Sequence, residues 1–169
     1  MSSKLFFSAL LVIFTFGFFA CQDNSTSPEN SEQDIVIQKS ISMSDGPTNL
    51  ISAIRISDDS GEHWEVRIDM PGDGGIVKFE YFVGTKNLHQ IKGLTPSFDY
   101  EISPGLGLVD YSKARLAALA AVNGYIIEWK LEKDDSDNMW QYRFEILSNG
   151  DDFEVRLNAA TGIVIRVKN

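Results

Sequence analysis

From residue 125 to the C-terminus, apolar and polar residues alternate in four short runs. The run 140–146 sets Trp140, Tyr142, Phe144 and Ile146 against Gln141, Arg143 and Glu145. Runs at 125–131, 153–159 and 163–167 behave alike, with Tyr125, Ile127, Trp129 and Leu131 sharing one side of the first. A period of two gives each strand one dry face and one wet face. The pattern therefore predicts a half-buried antiparallel sheet. Just before it, residues 112–122 are alanine-rich and place Leu116, Leu119 and Ala120 at i, i+3 and i+4, a helical stripe expected to meet the sheet. Asp110 or Ser112 can cap that helix and Asn123-Gly124 can stop it. A helix of about 11 residues is marginal alone, so it must dock on the strands.

The same alternation runs through the earlier chain. Ile35, Ile37, Ile41 and Met43 suggest a strand, and 50–57, 64–70, 76–83 and 88–92 suggest four more. Turn residues such as Pro71-Gly72 and Gly74-Gly75 separate them. Residues 94–109 read as a bridge, with Phe98, Tyr100 and Ile102 alternating as a short strand before a loop. A shift of 76 positions lays Asp58-Asp59 on Asp134-Asp135, Trp64 on Trp140, Arg67 on Arg143 and Thr85 on Thr161. This reads as an internal duplication. Two departures stand out: Ile54 and Ile56 have the opposite parity to Trp129 and Leu131, and no helix is expected before the first copy. The fold class is α+β, with one antiparallel sheet or two built from sequence-related β-meander copies and the Ala-rich helix packed on the C-terminal copy.

The N-terminus is set apart. Met1 to Ala20 holds six of the 11 phenylalanines and one charge, Lys4. Its apolar run of roughly sixteen residues is short of the ~20 that a membrane-spanning helix needs. The single cysteine, Cys21, follows it and can form no internal disulfide. Together Ala20 and Cys21 resemble a bacterial lipoprotein signal, in which the cysteine becomes the lipidated first residue after cleavage; the other reading is a plain secretory signal or an uncleaved anchor. Residues 22–34 lack apolar side chains and are expected to be a disordered spacer. The expected plan is a signal over 1–20, a tether over 21–34, an N-terminal unit over 35–93, a linker over 94–110 and a C-terminal unit over 111–169.

Charge narrows the partners. The net charge of -9 argues against nucleic acid and against an anionic membrane surface. Motifs for a serine hydrolase, a zinc peptidase or a phosphate-binding loop are absent from the sequence. His63 and His89 have no ligand-spaced partner and read as solvated side chains. Asp58, Asp59, Asp134, Asp135 and Asp137 stand in turns and are weak candidates for Ca²⁺; the spacing of a calcium loop is missing, so no metal and no cofactor is expected. One helix cannot cover eight strands. Trp64, Val66, Phe79 and Tyr81 are therefore the candidate binding surface, with core packing as the plainer reading.

The Ala-rich helix, its glycine turn, the acidic strand pair and the closing residues 158–164 together resemble a PepSY domain. The resemblance covers Tyr111 to Lys168, and Ala117, Ala120, Gly124, Tyr142, Val155, Ala160, Thr161 and Gly162 carry it. It implies a non-catalytic α+β module that holds or inhibits peptidases outside the cytoplasm, with a tandem of two such units as an extension. The expected function is an exported, membrane-tethered binding module with a protein partner, a peptidase or another envelope protein. The alternative is a purely structural envelope lipoprotein.

Overall fold

The computed structural model describes residues 28–169, apart from 47, 60, 71 and 73. The signal segment, Cys21 and the first part of the tether lie outside the described residues. The chain forms α1 (Pro28–Met43), β1 (Asn49–Asp58), β2 (Gly61–Met70), β3 (Gly75–Phe82) and β4 (Leu88–Gly93). It continues with α2 (Tyr111–Ala121), β5 (Tyr125–Lys133), β6 (Trp140–Ser148), β7 (Asp151–Asn158) and β8 (Val164–Lys168). All eight strands join one antiparallel sheet in sequence order. The question of one sheet or two is answered by β4 pairing with β5, which welds the halves.

Two expectations fail at the N-terminal end. Residues 28–34 of the expected tether and the expected strand 35–43 form a single helix, α1. Pro28 suits a first helical position because its missing N–H is unpaired there anyway. What faces inward is Val36 and Ser40, both fully buried, with Glu32 and Met43 continuing the same stripe at i+3 and i+4 spacings. Ile35 and Ile41 point outward and are 41% and 36% exposed, so the alternating isoleucines are not a strand face. The second miss is at 98–102, where no strand forms and only an isolated bridge links Ile102 to Ser44. Phe98 instead takes a positive φ of 55° and buries its ring.

The dry face is continuous across the sheet. Val66, Phe79, Ile91, Leu131, Tyr142 and Leu157 are successive cross-strand partners, and all are fully buried. α1 packs on β1 and β2, and α2 packs on β6, β7 and β8. Between them the 94–110 segment inserts Phe98, Tyr100 and Ile102 beside Trp129, whose indole Nε1 donates to the Tyr100 hydroxyl at 2.7 Å.

α2 turns a different face inward from the one expected. Tyr111, Ala114 and Ala118 are buried, whereas Leu116 is 70% exposed. Two small alanines let the helix axis approach the sheet, and Tyr111 fills the gap against Trp129 with ring centroids 4.3 Å apart. Asp110 makes no side-chain cap; the Glu101 carboxylate does that work, accepting from the Ser112 N–H at 3.1 Å. Gly124 has no positive φ. Glycine is needed there because a Cβ would collide with the Leu147 carbonyl.

The two halves keep the same spacing. β1 and β5, β3 and β7, and β4 and β8 each begin 76 positions apart (Asn49 to Tyr125, Gly75 to Asp151, Leu88 to Val164). Register irregularities recur as well: one between Leu50 and Ser52 answers one between Ile126 and Glu128, and one at Glu80/Tyr81 answers one at Arg156/Leu157. α1 stands before the first set of strands as α2 stands before the second, which corrects the expectation of a helix in one copy alone.

Candidate functional site

The expected binding surface is covered. Trp64 is 2% exposed and Val66, Phe79 and Tyr81 are fully buried; α1 packs on β2, which carries Trp64 and Val66, and reaches Tyr81 on β3 through Ser40. The cover is fastened by polar contacts. Ser40 Oγ shares a 2.9 Å hydrogen bond with the Tyr81 hydroxyl, and Gln33 donates to the Ala53 carbonyl at 2.6 Å. The Glu32 carboxylate accepts from the Gly84 N–H, the Trp64 indole and the Lys86 ammonium, and these hold its pKa below the ordinary carboxylate value. Burial pushes the Tyr81 hydroxyl far up, and the Ser40 bond offsets only part of that.

The opposite face is open and charged. Arg67, Lys78, Lys92, Lys130, Arg143, Arg156 and Arg166 are successive cross-strand partners from β2 to β8, a row of cations running across the sheet. Like charges in register repel. Carboxylates one row away compensate: Arg67 Nε lies 2.7 Å from Glu65, Lys130 Nζ 2.7 Å from Glu132, and Arg143 Nε 2.7 Å from Glu154. Glu154 also accepts from Arg156, and that bond, with the charges of both arginines, holds its carboxyl below the ordinary range. A notch of about 610 Å³ opens on this face near His89, Lys130, Asp135, Arg143 and Arg156. Its arginines and Lys130 are already paired with Glu154 and Glu132, while Lys133 lies over the Trp140 ring.

His63 is not the solvated side chain expected. It is 2% exposed, beside Ile56 and Phe82 in register, and its Nε2 has no hydrogen-bond partner. Asp58 Oδ2 and Glu80 Oε1 lie 3.6 and 3.8 Å from that nitrogen. Glu80 Oε1 is also 2.5 Å from the Lys78 ammonium, and a cation already seated there disfavours a metal ion. Among the described residues, no group of three or more His, Cys, Asp or Glu is placed to hold a metal. The acidic turn of the C-terminal half is occupied with itself. Asp134 accepts from Ser136 and faces Arg156, and Asp137 accepts from the Met139 N–H; Ser136 first, then Arg156, keep the Asp134 pKa low. Asp59 and Asp135 both stand exposed in the two corresponding turns.

Sequence reasoning missed Arg115. It lies on α2 and lines a groove of about 380 Å³ with Pro96, Ser97, Leu119, Tyr125 and Ile127. Its Nη1 donates to Asp99 Oδ1 at 3.1 Å, while its Nε is buried without a partner. The one signal in the sequence was its offset of 76 from Lys39, a cation on α1.

Residues 109–168, spanning α2 and β5 to β8, match the family of the peptidase propeptide and YPEB domain, PepSY. The C-terminal unit is similar to a PepSY domain. Its helix, glycine turn and four-stranded meander are the elements described above, and the match stops short of α1 and β1 to β4. Among solved structures, the chain is similar to a candidate lipoprotein of Clostridium difficile 630, at 16% identity over 83% of this chain and 90% of that one, with a TM-score of 0.39. No curated protein matches the chain.

Proposed function

We propose that the protein is an exported, lipid-anchored, non-catalytic binding module that holds or inhibits a peptidase or another envelope protein. The PepSY match over 109–168 carries this reading, because such domains are propeptide- and inhibitor-like modules. The 76-residue spacing and the repeated register irregularities support treating residues 28–93 as a second PepSY-like unit. Cys21 behind Ala20 supports the anchor. Cys21→Ser should move the protein from the membrane to the soluble fraction, and retention on the membrane contradicts the anchor. For the peptidase arm, the chain added to the extracellular peptidases of its own cell should change their rate on casein in a dose-dependent way; an unchanged rate at saturating protein removes that arm.

The second reading is a structural envelope component, and the self-compensated charged face favours it. In-cell crosslinking separates the two. A discrete crosslinked product with one protein supports binding, and the lack of any supports the structural reading.

A further inference from the structure

β4 is shorter than the strand it pairs with. Their register runs from Gln90↔Glu132 to Gly93↔Trp129, which leaves Tyr125 to Glu128 of β5 with no strand on that side. The chain quits the sheet after Gly93, where the Trp129 indole and the Phe98 ring fill the space a Cβ would need. Leu94 then donates to the Ile76 carbonyl at 2.8 Å and the chain turns at Pro96 and Ser97. The notch is closed at that turn and open at the Tyr125 end.

This notch is the groove that Arg115 lines. Its walls are Leu119, Tyr125 and Ile127; Tyr125 is 79% exposed, and Ile127, the bulged residue of β5, is 44% exposed. Pro96, Ser97 and Arg115 share the closed end. A guanidinium has five N–H donors. Asp99 takes one at Nη1, and the buried Nε–H is left over. At the matching place of the first unit, Lys39 Nζ is spent on the Lys86 carbonyl at 2.8 Å. The second unit keeps its donor unspent.

We propose that the notch captures the C-terminal end of an extended apolar peptide. The peptide adds as a short strand beside Tyr125 to Glu128, and its terminal carboxylate rests on Arg115. Strand addition at a free edge supplies main-chain hydrogen bonds, and the apolar walls receive alternate side chains. The closed end selects a chain terminus: an internal segment laid along β5 would run into Leu94 and Pro96, whereas a strand parallel to β5 ends there. Charge fixes which terminus. The guanidinium, whose side chain is 33% exposed, takes a carboxylate, and an ammonium would be repelled. Asp99 is the one acidic neighbour paired to the guanidinium, and its side chain is 79% exposed, so water screens its repulsion. This deepens the binding-module reading and rests on it.

The test uses the full-length chain and two pools of fluorescein-labelled pentapeptides ending in Leu, Ile, Val or Phe. One pool carries the free acid and the other the carboxamide, and binding is read by anisotropy. The acid pool should bind at least about tenfold more tightly, as expected for a hydrogen bond to a charged group. Arg115→Met should reduce acid binding to the amide level. Leu116→Asp, outside the notch on the same helix, should change neither. Equal binding of the two pools, or binding by neither, overturns the proposal. If Arg115→Met fails to fold, the acid-to-amide ratio on the unaltered chain decides alone. A protein partner found by crosslinking together with silent peptide pools would sink the notch and leave the binding-module reading intact.

Discussion

The two helices lie on the same sheet and are held by different chemistry. α2 buries Tyr111, Ala114 and Ala118 into an aromatic cluster with Trp129, Phe144 and Tyr142. α1 buries little besides Val36 and Ser40, whose hydroxyl bonds Tyr81 beneath the helix, and is fastened at its rim by Glu32, Gln33 and Lys39. Apolar burial does not depend on pH or salt in the way charge-assisted contacts do. The contrast teaches that one sheet can carry one helix cemented by apolar burial and another held largely by polar and charge-assisted contacts.

The largest effect should come from the apolar side of this contrast. Tyr111→Ala removes the ring stacked at 5.3 Å on Tyr100 and leaning on Trp129, and should cost about 3–5 kcal/mol in a denaturant titration. A loss under ~1 kcal/mol would show that α2 is not the cemented helix. On the polar side, Ser40→Ala leaves the buried Tyr81 hydroxyl without its partner, at a cost of about 1–3 kcal/mol.

Smaller still is the Glu32 clamp, read through pH. Its folded pKa lies below the ordinary 4.5, so its contribution is complete above that value and is lost as pH falls through the folded pKa. Hydrogen-exchange protection across 31–43 should drop on acidification, and Glu32→Gln should lower it at neutral pH and flatten the dependence, leaving α2 untouched. Equal loss in both helices would break the contrast. The smallest effect belongs to Leu116→Asp. With Leu116 70% exposed, the unfolding free energy should change by less than about 0.5 kcal/mol in the same denaturant titration.

Legibility in the sequence followed the same divide. Strands β6 and β7 advertise themselves because a dry core lies on one side and water on the other, and alternation records that directly. In β5 the bulge at Ile127 leaves Tyr125 79% and Ile127 44% exposed, and β8, at the sheet edge, has Ile165 and Val167 about half exposed. α1 was misread because its isoleucines alternate while its inward stripe is a glutamate, a valine, a serine and a methionine, and hydrogen bonds leave no hydrophobic period. α2 was found with its wrong side inward: alanines that approach the sheet look weaker in a pattern than leucines that point to solvent. His63 looked solvated because nothing local reveals that Ile56 and Phe82 flank it in register. The parity exception at Ile54 was legible and holds, since Ile54 lies opposite Glu65 on the charged face and is 48% exposed. Arg115 could not be chosen in advance, because the notch exists only where β4 stops before β5 does.

The early start of α1 sets a distance. α1 is described from Pro28, seven residues after Cys21, and seven residues reach about 25 Å at most. With an acyl chain on Cys21 as proposed, the sheet is confined to the first molecular layer above the lipid headgroups. On that proposal its partners would come from what is embedded in, or passes close over, the same bilayer, and proteins standing well off the surface would be out of reach.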